Sequence, residues 1–320
     1  MRDVAELEID PARAVIYEHG WQSWSPWYHY LTGVTEADID ENLLAVEELG
    51  LDIDVMQIDD GYQSEPGDWL TPSDRFASLE QVIKRIRDHG RRAGIWVAPF
   101  LAGARSDLVR QHPEWLIAGV HAGHGWRQDL AALDITHAGV QGYLREVFEH
   151  FSGIGVDFFK IDFGYAGAME GHRADPGMPG VDAYRMGLGL IREAIGPHSY
   201  LLGCGAPILP SVGLVDAMRV GPDIAPNVEP PSGDMSEPSQ LAAAINGRWR
   251  AWQHGRYWVN DPDCLIVAPR VQRRAQWASV VERYGGLRAS GDRLRDLDEW
   301  GLAATRRVVT QVPARPFDLG

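Results

Sequence analysis

Cysteine is scarce in this chain of 320 residues: Cys204 and Cys264 are the only two, and no CxxC occurs. A disulfide framework and a cysteine-rich zinc site are thereby excluded, and two buried thiols are expected. Basic charge is also short, with 30 Lys and Arg against 45 Asp and Glu, for a net charge of −15. A surface of that sign repels phosphate backbones and anionic headgroups, so neither nucleic acid nor membrane is an expected partner. No apolar run reaches the roughly 18 residues of a membrane span, and the N-terminus lacks the apolar core of a signal peptide. A soluble, cytoplasmic protein is expected. Phosphate loops of the GxxxxGK[ST] type, GxSxG elbows and GxGxxG dinucleotide fingerprints are all missing. Phosphoryl transfer, serine hydrolysis and dinucleotide chemistry lose their main support, and the sequence sets no oligomeric state.

Tryptophan, by contrast, is abundant, with twelve residues. Several stand in polar stretches punctuated by Pro and Gly: Trp21, Trp24 and Trp27 in GWQSWSPWYHY, Trp69 in EPGDWLTP and Trp126 in GHGW. Such stretches read as exposed loops, where an indole needs a role. A flat aromatic face packs against the C–H face of a sugar ring while carboxylates take its hydroxyls. An acidic chain rich in tryptophan therefore points towards carbohydrate.

Apolar runs rich in Val, Ile and Phe alternate with amphipathic stretches, the rhythm of βα units on a parallel sheet. Strands are predicted at 14–18, 54–58, 93–98, 156–161, 199–203, 215–219, 257–260 and, weakly, 286–289. Helices are predicted at 36–49, 78–89, 138–152, 182–195, 239–254, 271–284 and 296–310, with Gly50, Gly90 and Gly153 placed to end the first three. Eight strands alternating with helices favour a single (β/α)8 barrel spanning 1–320 over an open doubly wound sheet. The loops 60–77, 99–132, 163–181 and 220–238 all follow strands and so belong on the face where such barrels build active sites. The last of them, rich in Pro, Gly and acidic residues, reads as a rim loop or lid.

Strand ends terminate repeatedly in carboxylates: Asp59-Asp60, Asp162, Asp223 and Asp261-Pro262-Asp263. Alternation along a strand puts Phe158, Lys160 and Asp162 on one face, the barrel interior. An inward lysine needs a counter-charge, and Asp162 is the expected partner, kept ionised by it. Asp223, in a Gly-Pro loop with Arg219 as its one nearby cation in sequence, is the candidate for a protonated acid. One ionised and one protonated carboxyl is what glycoside hydrolysis uses. His121 and His124 have HxxH spacing but no matched third ligand, and read as a solvated loop pair.

The strings QIDDGYQ with GDWL, GIWVAPF, FFKIDF, LLGCGAP, MRVGPDIAP and WVNDPDCLIV, in that order, resemble the catalytic barrel of glycoside hydrolase family 36 α-galactosidases over about Gly20 to Trp300. The resemblance implies hydrolysis of α-galactoside oligosaccharides by double displacement, with Asp162 as nucleophile and Asp223 as general acid and base. It implies that Asp59 and Asp60 hold the 4- and 6-hydroxyls of galactose, that Lys160 and Arg219 bind ring hydroxyls, and that Trp96 and Cys204 line the pocket. Trp27 and Tyr28 close it, although an extra Ser-Pro leaves Trp24 as an alternative to Trp27. Asn260 and Asp261 are read as bracing the barrel rim. Neither metal nor organic cofactor is required. Retention requires the two carboxyl groups roughly 5–5.5 Å apart, against about 6.5–9.5 Å for inversion. A transgalactosylase, an α-N-acetylgalactosaminidase and a non-catalytic sugar-binding barrel remain as alternatives. The β-domains that flank the barrel in this family have no room here, so a barrel alone is expected.

Overall fold

A computed structural model describes residues 22–311. Eight parallel strands form the barrel: β1 (Ser23–Trp24), β2 (Val55–Ile58), β3 (Arg92–Val97), β7 (Val156–Ile161), β8 (Tyr200–Gly203), β9 (Ala217–Arg219), β10 (Val259–Asp261) and β11 (Ala289–Ser290). Hydrogen-bonded neighbours run β10-β9-β8-β7-β3-β2-β1-β11. Asn260 O accepts from Gly286 N and Leu287 N, and Leu265 N donates to Ala289 O, which joins the two ends of that order and closes the ring. The predicted strand at 14–18 lies outside the described residues, and the strand in first place is Ser23–Trp24, in a stretch read above as a loop.

Local chemistry sets the helices that cover the ring. Thr35 and Asp38 form a reciprocal capping box at the start of the helix Glu36–Glu48, and Ser78 caps Leu79–Asp88, whose Leu79, Val82, Ile83 and Ile86 are all buried. Gly50 and Gly90 follow these helices at φ +59° and +71°. After a short helix at Asp107–Gln111, the helix Ala138–Gly153 keeps Gly153 as its last residue, and the left-handed position falls two residues later, at Gly155. Further helices cover Gly180–Ile195, Gln240–Arg250, Arg274–Tyr284 and Glu299–Thr310. Between β8 and β9, where no helix range is predicted, the regular βα alternation gives way to a short 3-10 turn, Leu209–Ser211, because only thirteen residues, rich in Pro and Gly, connect those strands.

The barrel floor is filled from the inward faces of its strands. Val55, Phe158, Tyr200, Leu202, Ala217, Val259 and Leu287 form one cluster, with Phe158 and Tyr200 stacked at 5.3 Å. Gly94 belongs to the same layer, since a β-carbon there would lie 3.1 Å from both Phe158 and Val55. Two residues further along β2, β7 and β9 the inward positions turn polar: Gln57, Lys160 and Arg219 are buried above this floor. Both thiols, Cys204 and Cys264, are free and buried. Among the described residues no helix is long and apolar enough to cross a membrane.

Loop 99–132, expected to be irregular, instead carries a three-stranded antiparallel sheet of β4 (Leu101–Gly103), β6 (Gln128–Ala132) and β5 (His124–Gly125). Segment 220–238 has no helix or strand, and residues 231–238 are exposed.

Candidate active site

The strand ends and the loops after them enclose a cavity of about 890 Å³. Its wall brings together Trp27, Asp59, Asp60, Trp96, Lys160, Asp162, Cys204 and Asp223. Trp27, rather than Trp24, faces this space. Trp24 is fully buried beneath it, with its indole N–H donating to Asp292 O at 2.8 Å. Trp69 is fully buried as well, edge-on to Trp96 at 5.7 Å. These two indoles, read above as loop residues, are structural supports; Trp21 lies outside the described residues.

Asp162 follows β7 and is held by two donors, the Trp96 indole N–H at 3.0 Å and the Phe163 backbone N–H at 2.7 Å. Phe163 sits at φ +51°, an uncommon value for a side-chain-bearing residue. Opposite it, Gly205 at φ +52° leaves the space that Asp162 needs, since a β-carbon there would come within 2.9 Å of Asp162 Oδ1. The lysine pairing differs from expectation. Lys160 donates to Asp59 Oδ2 at 3.1 Å, so its counter-charge comes from the end of β2 and not from its own strand. Burial, the largest single influence, lowers the lysine pKa, but the charges of Asp59, Cys204 and Asp162 together outweigh it and hold the ammonium above its ordinary value.

Asp59 Oδ2 also accepts from Ser25 Oγ at 3.2 Å and from Gln57 Nε2. Asp60 accepts from Gln63 Nε2 at 2.6 Å and from the Trp126 indole at 2.8 Å. Burial raises the Asp60 pKa from 3.8 to about 6; the Gln63 and Trp126 bonds oppose the rise, and the carboxylates of Asp59 and Asp162 add to it. Burial, then the Asp162 charge, also pushes the Cys204 thiol well above its usual range.

Asp223 is half-exposed and accepts from Arg219 Nη1 at 3.0 Å and the Trp27 indole at 3.3 Å. Arg219 and Tyr28 are absent from the cavity wall and stand behind it. The guanidinium divides its donors among Asp223, Asp261 at 3.0 Å and Asp263 at 2.9 Å. Tyr28 donates to Asp263 Oδ2, which also accepts from Ile224 N at 2.8 Å and so ties down the residue after Asp223. Asn260 accepts from the Trp258 indole and donates to Arg250 O, at the barrel rim. His121 and His124 are exposed and share Asp129 at 3.4 and 3.2 Å. Among the described residues no group of three or more His, Cys, Asp or Glu side chains is arranged to hold a metal ion.

The family model described as Melibiase matches residues 32–192, just over half of the chain. The chain belongs to the melibiase family. This membership agrees with the resemblance drawn from the strand-end motifs. An α-galactosidase of Escherichia coli is 30% identical over 181 residues, which cover 51% of this chain and 24% of that enzyme. The bifunctional α-galactosidase/sucrose kinase AgaSK of Mediterraneibacter gnavus is 36% identical over 103 residues, 30% of this chain and 10% of that protein. The chain thus spans a quarter or less of the curated relatives it matches. The structure of TtGalA, an α-galactosidase from Thermus thermophilus in complex with p-nitrophenyl α-D-galactopyranoside, is similar over 94% of this chain and 65% of its own, with a TM-score of 0.80 and 30% identity.

The wall of this melibiase barrel also includes Trp126, Phe163, Tyr165, Glu65 and Arg105, none of which the sequence reading placed in the site. Trp126 had a visible signal, an indole in a Gly-rich polar stretch. It reaches the site on the two-residue turn between β5 and β6, where Trp126 and Arg127 both take positive φ, +48° and +58°. That is the backbone of a tight hairpin turn that favours Asn-Gly, and each side-chain-bearing residue there costs roughly 1–2 kcal/mol.

Proposed function

We propose that this chain is the catalytic barrel of a retaining α-galactosidase of glycoside hydrolase family 36, acting on terminal α-linked galactose in oligosaccharides. The observation that carries the reading is the convergence of Asp162 and Asp223 on one cavity whose wall also holds Asp59, Asp60, Lys160 and the Trp27 and Trp96 indoles. In this reading Asp162 Oδ attacks the anomeric carbon while Asp223 protonates the glycosidic oxygen, and the aglycone leaves. Asp223 then takes a proton from water, which displaces Asp162 and restores the α-configuration. The Trp96 and Phe163 N–H groups fix the attacking carboxylate, so that little rearrangement precedes attack. Asp59 and Asp60 are placed to accept from sugar hydroxyls.

Arg219 serves this chemistry from behind the wall. It shares one positive charge among three carboxylates, so Asp223 is oriented without exclusive possession of a cation. The solved TtGalA complexes with stachyose and with the nitrophenyl galactoside make such compounds the first substrates to test. Asp162→Ala is expected to abolish hydrolysis of p-nitrophenyl α-galactoside with unchanged circular dichroism. The product first formed by the unaltered chain is expected to be α-galactose by proton NMR. Near-normal turnover in the variant, or β-galactose as first product, overturns the reading.

A further inference from the structure

The strained turn that carries Trp126 is gripped from one side. Arg105 Nη1 donates to Arg127 O and Nη2 to Trp126 O, both at 3.1 Å, so the carbonyls of both left-handed residues converge on one guanidinium. Glu65 fixes that guanidinium through two bonds, from Nε at 3.0 Å and from Nη2 at 3.2 Å. Buried Gln128 locks the assembly by donating to Glu65 Oε2 at 2.7 Å and accepting from Arg105 N at 2.8 Å. On the far side of the turn, the Trp126 indole N–H meets Asp60 Oδ2.

We propose that Arg105, held by Glu65 and Gln128, is a positioning residue that keeps Trp126 on Asp60 and thereby sets the affinity of the site for its sugar. The link to sugar affinity rests on the galactosidase reading above; the clamp itself does not. Two successive side-chain-bearing residues in the left-handed region are disfavoured by the backbone alone. Such strain persists only where surrounding bonds over-determine it, and a planar guanidinium donating in two directions does that where a lysine ammonium does not. When the grip is released the turn relaxes and the indole leaves Asp60. Asp60 then keeps Gln63 as its one side-chain donor while it still faces the carboxylates of Asp59 and Asp162, with Lys160 committed to Asp59.

The test is a double-mutant cycle on the full chain with Arg105→Ala, Trp126→Phe and the pair, read first as galactose affinity by calorimetry. Each single variant is expected to weaken galactose about tenfold, the loss of one hydrogen bond to a charged group. The pair is expected to lose about tenfold again and not a hundredfold, because both changes break one linkage. Additive losses, or a lowered melting temperature in Arg105→Ala with unchanged affinity, overturn the proposal. Should Arg105→Ala fail to fold, Arg105→Lys replaces it, with the same expectations.

A second readout needs no ligand. The difference in tryptophan emission between the unaltered chain and Trp126→Phe is expected to titrate with a midpoint of about 6 as Asp60 ionises, and to stop doing so once Arg105 is changed. A titration that survives the change overturns the clamp. If the unaltered chain binds no galactose, the galactosidase reading fails and this emission decides the clamp by itself.

Discussion

The ammonium of Lys160 lies 3.1 Å from Asp59 Oδ2, joining the inward face of β7 to the end of β2 across 101 residues of sequence. Both side chains are buried, at 6% and 2% exposure. An isolated buried charge is costly and a paired one much less so. The pair therefore locks the two strand ends that present Asp162 and Asp60 to the same cavity.

Lys160→Met is accordingly expected to lower stability by about 3–5 kcal/mol, since it strands the Asp59 charge in the interior. Adding Asp59→Asn to that variant removes the stranded charge, and most of the loss is expected to return. Urea midpoints of the two variants check this. A double variant no more stable than Lys160→Met alone would show that lost lysine packing, and not the uncompensated carboxylate, governs the effect.

Asp60 gives stability an unusual pH dependence. Its pKa rises from 3.8 to about 6 through burial, so between those values the folded state binds more protons than the unfolded one. Stability contributed by this residue therefore falls as pH rises through that window, and the full penalty is present above about pH 6. A shift of two units corresponds to an order of 3 kcal/mol. Asp60→Asn, which stays neutral, is expected to be more stable than the unaltered chain at neutral pH and to lose that advantage below about pH 4. Urea titrations at both pH values measure it; an advantage independent of pH would point to packing instead.

Which of these relationships can be read from sequence depends on how far apart the partners lie. The ends of the helices Glu36–Glu48 and Leu79–Asp88 were legible because Gly50 and Gly90 act within a few residues of them. The inward direction of Phe158 and Lys160 was legible because alternation along a six-residue strand is local. The choice of Asp59 over Asp162 as the partner of Lys160 is tertiary, set by the neighbourhood of β2, β3 and β7 in the ring. Trp24 was misread because a two-residue strand is too short to show alternation. The β4–β6 sheet was missed for the same reason, its strands being two to five residues long and rich in Gly.

Asp263 was named among the strand-end carboxylates but given no role, yet it receives Arg219, Tyr28 and the backbone amides of Ile224 and Cys264. Its φ of +95° lies in the left-handed region, which Asn enters more readily than most residues. Asp263→Ala is expected to cost about 3–5 kcal/mol by leaving the buried Arg219 short of a counter-charge and Tyr28 without an acceptor. Asp263→Asn keeps an acceptor oxygen and the backbone geometry, so its loss is expected to be less than half as large. Equal losses in the two variants, measured by urea unfolding, would mean that charge alone accounts for the site.

The barrel floor makes the last case, because its packing is set by a missing side chain. Gly94 stands beside Phe158 in register and leaves the space that this ring and Val55 occupy. A methyl group at 94 would meet Phe158 Cδ1 and Val55 Cγ1 at 3.1 Å each, tighter than ordinary contact, and Phe158 has no free direction while stacked on Tyr200. Gly94→Ala is expected to destabilise by about 1–3 kcal/mol through overpacking, even though alanine suits a strand no worse than glycine does. Phe158→Leu added to Gly94→Ala frees volume at the point of contact, so the two changes together are expected to cost less than the sum of their separate effects. Strict additivity in urea unfolding would place the strain elsewhere than between residues 94 and 158.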